Sequence, residues 1–276
     1  MEKPHNISIE LVRGCNLACS FCAIHSLPKE RKYMTESTLM SVLNGAVPWT
    51  PLRIELCGRG ECTLHPDIIS MTRLIHSVMV GSQINLITNG ILFSREMAIE
   101  MFKAGLNCAI VDCYGNTFEN FKKRLDGVAP IIVYGDNDFS PFNRRFANKK
   151  VIFLVRDIKK HEGELRTREI HNWAGNVPTF NQESFTPLHK VCVDPFRFIT
   201  ILYDGSFIPC CRDWGEEYVI CNVNSTDLYD AWYNNAKLIA LRKHLIKGRR
   251  DLSPCNKCDW HGGFRKGLIN VNKEYL

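Results

Sequence analysis

Residues 14–22 read GCNLACSFC and place Cys15, Cys19 and Cys22 on one short loop. Three thiolates spaced this way can anchor an iron–sulfur cluster, which proteins normally hold through cysteine sulfur. A closed 4Fe–4S cube takes four such ligands. The loop supplies three, which leaves one iron open to a group that is not protein. A zinc site asks for four ligands in paired C-x2–4-C units, and this loop offers an uneven triplet beside His25. A fully paired disulfide set is also disfavoured, because the cysteines number 13.

A chain of 276 residues can bury a substantial core as one large domain, or as a large domain with a smaller one. The start, MEKPHNISIE, has no apolar run after its basic residue, and no apolar stretch is long enough to span a bilayer. The expectation is a cytoplasmic protein without membrane contact, its cysteines reduced and metal-bound. The formal charge of +6 is modest for a nucleic-acid binder. A basic run from Arg144 to Arg168 is interleaved with Asp157, Glu162, Glu164 and Glu169, so a solvated face explains it as well as an anionic substrate does.

Apolar patterning divides the first two thirds into alternating strands and helices. Ile7–Leu11 reads as a strand that delivers the cysteine loop, and Thr35 caps a helix running through Leu39, Val42, Leu43 and Ala46 to Pro48. Leu52–Cys57 is the second strand, Asp67–Met79 a helix, Gln83–Thr88 the third strand and Ser94–Ala104 a helix stopped by Gly105. Cys108–Cys113 is the fourth strand, and a short helix spans Thr117–Leu125. Ile131–Tyr134 and Val151–Val155 are strands, Glu164–Trp173 a helix and Val177–Phe180 the last strand. Such alternation implies a parallel sheet with right-handed crossovers. About six repeats fit, fewer than the eight of a closed barrel. Chemistry-bearing residues fall at the C-terminal strand ends, where sites in such folds lie. Gly58 and Gly60 permit close backbone approach to a ligand there, and the Glu61 carboxylate can accept from an ammonium group.

The CxxxCxxC spacing, with Phe21 before its last cysteine, resembles the signature of the radical S-adenosylmethionine (SAM) enzymes. The resemblance implies a partial (β/α)6 TIM-like barrel in which the open iron chelates the amino and carboxylate groups of SAM. Reduction then cleaves SAM to a 5'-deoxyadenosyl radical. The stretch GRGECTLHP is similar to the family's GGEP motif, which implies that Gly58, Gly60 and Glu61 hold the amino end of SAM; Cys62 departs from it by standing where proline is usual. ITNG at 87–90 is also typical, and Asn89 either contacts SAM or caps its turn. Asp112 stands near the position that reaches the SAM ribose, and Arg156 near one that pairs with the SAM carboxylate, a surface ion pair being the other reading of Arg156. Tyr33, His65 and Tyr114 are possible acids or bases by position only.

In the last third, Cys192 and Cys210 flank a hairpin turn at Tyr203–Ser206, and Cys255 and Cys258 form a CxxC turn. Four thiolates can then converge on one cluster. Cys-x12-Gly-x4-Cys with a later CxxC resembles the twitch region, a shortened SPASM domain, and implies one auxiliary 4Fe–4S cluster held by Cys192, Cys210, Cys255 and Cys258. A zinc ribbon is the competing reading. Cys211 or Cys221 could replace one ligand. The expected organisation is a barrel over 1–185 and an α+β auxiliary domain, hairpin plus helix, over 186–276, with Leu228, Ala231, Trp232, Leu238 and Leu241 on the helix.

The expected function is radical SAM chemistry: hydrogen abstraction from an unactivated carbon of a peptide, a protein or a small amino or sugar substrate, ending in oxidation or rearrangement. The auxiliary cluster either accepts an electron or shapes the pocket, and a flavodoxin- or ferredoxin-type reductant is implied. The barrel starts almost at residue 1, which lowers the peptide reading. A nucleotide or DNA base is the alternative substrate. A non-enzymatic iron–sulfur electron carrier is the alternative of another class.

Overall fold

The computed structural model describes residues 2–19, 22–112, 118–129, 131–135, 150–155, 173–177 and 191–260. Among them the strands are β1 Asn6–Ile9, β2 Val12–Arg13, β3 Lys32–Tyr33, β4 Arg53–Leu56, β5 Gln83–Thr88 and β6 Cys108–Asp112. They continue with β7 Ile131–Gly135, β8 Val151–Val155, β9 Phe198–Ile201, β10 Ser206–Ile208 and β11 Cys221–Asn222. Nine of them form one sheet in the order β11-β10-β9-β1-β4-β5-β6-β8-β7, parallel from β9 to β7. This is the α/β architecture of a partial barrel.

The helices between strands are built as their sequences ask. In α1 (Glu36–Ala46) the Thr35 hydroxyl accepts from Thr38 N, and Leu39, Val42, Leu43 and Ala46 make a buried stripe. In α2 (Ile68–Val78) Ile68, Met71, Thr72 and Ile75 do the same, and α3 (Arg95–Lys103) is capped by Ser94. Their stripes pack against Ile7, Ile9, Ile54, Leu56, Ile84 and Leu86, every second residue of the central strands, all fully buried. Helix α4 spans Phe118–Leu125.

Four details depart from the sequence reading. The single strand expected over Ile7–Leu11 ends at Ile9, because the buried Glu10 turns its carboxylate to Arg13 and to the amide of Tyr203; the chain restarts as β2, paired antiparallel with β3. Strand β8 lies between β6 and β7, so sequence order is not spatial order. Its uninterrupted apolar run VIFLV suits an interior place, whereas IIVYG takes the edge. The hairpin expected within a separate C-terminal unit continues the main sheet, β9 pairing in parallel with β1. The single C-terminal helix is two, α5 (Leu228–Asn234) and α6 (Ala236–Lys247): Asn235 is extended, and its side chain accepts from Lys237 N and Leu238 N, capping α6.

Gly45 seats α5 on α1, since a Cβ there would stand 2.7 Å from Leu228 Cβ. The helix and strand expected at 164–173 and 177–180, the boundary expected at 185 and the basic run after Arg144 lie largely or wholly outside the described residues.

Candidate functional site

The glycine-acid turn is stitched to the cysteine loop. Gly14 and Gly60 form a parallel bridge, with Gly14 N donating to Arg59 O at 3.2 Å and Glu61 N donating to Gly14 O at 3.1 Å. Only glycine allows this approach. A Cβ on Gly60 would lie 2.3 Å from Val12 O and 2.4 Å from Gly14 O, and one on Gly58, whose φ is +149°, would lie 2.8 Å from Glu10 Cβ.

Glu61 is buried and ties the turn to the end of β5. Its Oε1 accepts from Thr63 N at 3.1 Å, Thr63 Oγ1 at 2.6 Å and Thr88 Oγ1 at 2.7 Å, and its Oε2 accepts from Asn89 N at 2.7 Å. A carboxylate offers about four acceptor sites over its two oxygens, so Oε2 keeps one for a further donor. Asn89 Nδ2 in turn donates to Asn16 Oδ1 at 2.7 Å and to Cys15 Sγ at 3.6 Å, and Leu17 N donates to the same sulfur at 3.3 Å. Cys15 therefore sits under donors supplied from two strand ends.

Cys19 O accepts from Cys22 N at 3.0 Å and contacts His25 Nε2 at 2.9 Å, closing the loop. Burial pushes the Cys15 and Cys22 thiols up. Cys22 packs with Ala23, Val177 and Trp214, so the loop leans on the C-terminal segment. Asp112 closes β6 half-buried, opposite Val155 in register. Phe21, Arg156 and Tyr114 lie outside the described residues. His65 is structural: its Nδ1 accepts from Asp67 N at 3.1 Å, leaving Nε2 to donate to Met34 O at 2.9 Å. Tyr33 stacks edge-on against its ring.

Cys192, Cys210, Cys255 and Cys258 line one small pocket, together with Arg212 and Arg249. Cys211 and Cys221 are not among its walls. Arg212 N donates to Cys210 Sγ at 3.4 Å and Trp260 N to Cys258 Sγ at 3.5 Å, amide-to-sulfur bonds of the kind that tune iron–sulfur clusters. The Arg212 guanidinium lies 3.8 Å from the Trp260 ring centroid and 3.4 Å from Asp194, whose carboxylate also takes the Trp260 indole N–H at 2.8 Å. Burial pushes Cys255 up to about 12. Among the described residues no three His, Cys, Asp or Glu side chains stand together as a single-ion site. Four thiols beside two guanidinium groups make a donor set whose chemistry fits an anionic four-iron cluster. The three-cysteine loop, under its glycine cradle, fits a cluster with one open corner.

The groups that join these places belong to no motif in the sequence. Arg59, between the two turn glycines, reaches Glu216 and the Asp213 carbonyl, and Thr63 and Thr88 saturate one oxygen of Glu61. Its only trace in sequence was the position of Arg59 within the GRGE turn.

Residues 9–133 match the family model of the Radical SAM superfamily, and residues 192–259 match that of an iron-sulfur cluster-binding domain; together they take in more than half of the chain. PqqA peptide cyclase of Bradyrhizobium diazoefficiens is 28% identical over 125 residues, 45% of this chain and 32% of that protein. GTP 3',8-cyclase of Trichodesmium erythraeum is 30% identical over 111 residues, 38% of this chain and 33% of that protein. The chain thus spans about a third of the length of these two relatives. The S-adenosyl-L-methionine-dependent 2-deoxy-scyllo-inosamine dehydrogenase of Niallia circulans is 21% identical over 262 residues, 92% of each chain. The crystal structure of BtrN in complex with AdoMet and 2-DOIA shares the fold, with a TM-score of 0.72 at 18% identity over 94% of each chain. The chain belongs to the radical SAM superfamily and carries a C-terminal iron-sulfur cluster-binding domain of the SPASM type.

Proposed function

We propose that the protein is an enzyme that uses a 4Fe–4S cluster at Cys15, Cys19 and Cys22 to cleave SAM reductively and to remove hydrogen from an unactivated carbon of its substrate. The observation that carries this reading is the Gly14–Gly60 bridge, which sets a three-cysteine loop beside a glycine-acid turn at the strand ends. When bound there, the cluster supplies the electron that releases a 5'-deoxyadenosyl radical from SAM. The chain's own groups bind and orient. The spare lone pair of Glu61 Oε2 faces the work of accepting the SAM ammonium, and Gly58 and Gly60 let the backbone come close. Asn89 holds Cys15 and Glu61 in one frame, and Asp112, at the C-terminal end of β6, is the proposed acceptor for ribose hydroxyls. Phe21 and Arg156 complete the proposed set.

The second cluster belongs at Cys192, Cys210, Cys255 and Cys258, within an auxiliary unit of residues 186–276 that follows a barrel of residues 1–185. The reductant is of flavodoxin or ferredoxin type, in the cytoplasm. The substrate is a small amino- or sugar-like molecule rather than a peptide. Supporting this are the near-complete coverage of the 2-deoxy-scyllo-inosamine dehydrogenase and the partial coverage of the peptide cyclase.

The test is anaerobic reconstitution with iron and sulfide, then dithionite and SAM, reading 5'-deoxyadenosine by mass spectrometry. Wild type should release it, and the Cys15→Ala, Cys19→Ala, Cys22→Ala triple variant should keep about half the iron and release none. Iron-loaded, folded wild type that leaves SAM intact sinks the reading in favour of an electron carrier.

A further inference from the structure

The two faces of the parallel sheet differ in chemistry. Ile7, Ile54 and Ile84 stand in register across β1, β4 and β5 and are fully buried under the helices. One residue further along, the opposite face carries a polar row: Thr200, Ser8, Glu55, Asn85 and Cys108, each the register partner of the next across β9, β1, β4, β5 and β6. A parallel sheet covered on both sides is ordinarily apolar on both, and the lumen of a (β/α) barrel is ordinarily filled by branched apolar side chains. Here the lumen side is polar.

Asn85 stands out within that row. Its side chain is 0% exposed, and neither Oδ1 nor Nδ2 has a hydrogen-bond partner. Buried amide groups are very rarely left so, because each orphaned atom costs more than an ordinary hydrogen bond gains. Beside it, about 5 Å away across the strand gap, Glu55 is held loosely: Oε1 takes Asn6 Nδ2 at 3.3 Å and stands 3.9 Å from Arg53. The row also reaches the SAM turn. Ser8 Oγ lies 3.0 Å from Cys57 Sγ, and Cys57 directly precedes Gly58.

We infer that Asn85, Glu55 and Ser8 form a subsite for a small ring bearing an amine and hydroxyls, the substrate of the site proposed above, on which this inference rests. The carboxylate of Glu55 takes the ammonium. The carboxamide of Asn85, able both to donate and to accept, takes a neighbouring hydroxyl, and Ser8 sets the depth. An apolar peptide side chain would leave both groups unpaired and is rejected on that ground.

The experiment uses the full chain and reads melting temperature and binding, not turnover. Asn85→Leu keeps the volume and removes both orphaned atoms, so the ligand-free variant should melt at or above wild type. A clear fall in its melting temperature would show the amide already satisfied inside the protein, and would overturn the subsite. Glucosamine and 2-deoxy-scyllo-inosamine should each raise the melting temperature of wild type saturably, scyllo-inositol at least tenfold less effectively. Asn85→Leu and Glu55→Gln should weaken the amine-bearing rings by tenfold or more. No shift from either amine-bearing ring overturns the assignment. SAM cleavage without ring binding defeats the subsite alone, and ring binding without SAM cleavage defeats the radical reading alone.

Discussion

Arg59 donates from one guanidinium nitrogen to Glu216 Oε1 at 2.6 Å and from the other to the carbonyl of Asp213 at 2.5 Å. Arg13 NH2 reaches the same Glu216 oxygen at 2.8 Å. One carboxylate therefore holds both the glycine-acid turn and the strand that leads into the cysteine loop, and it does so from the segment that follows Cys210. The backbone of Glu216 has φ +55°, a left-handed conformation that a side chain rarely adopts without compensation. Both arginines grip the Glu216 carboxylate, so the two cysteine sites are linked through a partly buried polar clamp.

Replacing Arg59 with Met should destabilise the protein by about 2 kcal/mol, because Arg59 is almost wholly buried and its loss takes one of two cationic partners from Glu216 and leaves the Asp213 carbonyl only the Glu216 amide. Glu216→Gln keeps an acceptor oxygen and should cost less, about 1 kcal/mol. Chemical denaturation of the two single variants and the double variant gives the coupling between them. An Arg59→Met protein as stable as wild type would mean that the clamp carries no weight.

Glu61 accepts four hydrogen bonds, three of them on one oxygen. Glu61→Gln turns one of those acceptors into a donor facing donors, and should cost about 2 kcal/mol while abolishing measurable SAM binding by equilibrium dialysis. Thr88→Val removes one of the donors to Glu61, together with the acceptor of Gly90 N at 3.0 Å. It should cost about 1 kcal/mol and leave SAM binding within a few-fold of wild type. Equal effects of the two variants would show that Glu61 is merely structural.

Much of this was legible in the sequence because local rules and tertiary demands agree. Thr35 caps the helix that its side chain advertises, the next capped helix begins at Ser94 as expected, and β5 and β8 run over the residues that their apolar patterns mark. The chemistry-bearing turns were legible for the same reason, since Gly14, Gly58 and Gly60 serve backbone approaches that no other residue permits. What stayed hidden depends on contacts far apart in the chain. Nothing local says that β8 inserts between β6 and β7, or that Glu216 closes on Arg13 and Arg59. The break at Asn235 was hidden by amphipathic spacing that persists across it: Trp232 and Leu238 face the same core although two helices carry them. Asn85 looked like an ordinary strand residue until its lack of partners was visible.

Alkaline conditions should weaken the metal-free fold. Burial pushes Cys108 up to about 12 and Cys221 up to about 11, while an unfolded thiol ionises near about 8.5. The folded chain keeps protons that the unfolded chain sheds. Stability is then fully present below about pH 8.5 and declines as pH rises toward the folded values. Cys108 contributes at most about 1.4 kcal/mol per pH unit in that window. Anaerobic denaturation midpoints at several pH values should fall above about pH 8.5, and less steeply for Cys108→Ala. A flat profile for wild type would contradict the burial argument.

Gly60→Ala tests the cradle itself. The added methyl would stand 2.3 Å from Val12 O and 2.4 Å from Gly14 O, both backbone atoms that no side-chain rotation can move aside. The turn must then part from the cysteine loop, while the cavity of Cys192, Cys210, Cys255 and Cys258 lies on other elements. Reconstituted Gly60→Ala should therefore hold about half the iron of wild type and release no 5'-deoxyadenosine. Gly45→Ala meets Leu228 Cβ at 2.7 Å and Leu228 N at 3.1 Å, so α5 must shift on α1, far from both cysteine sites; this variant should keep full iron at a clear cost in melting temperature. If Gly60→Ala binds iron and cleaves SAM as wild type does, the close approach of turn and loop is not what assembles the site.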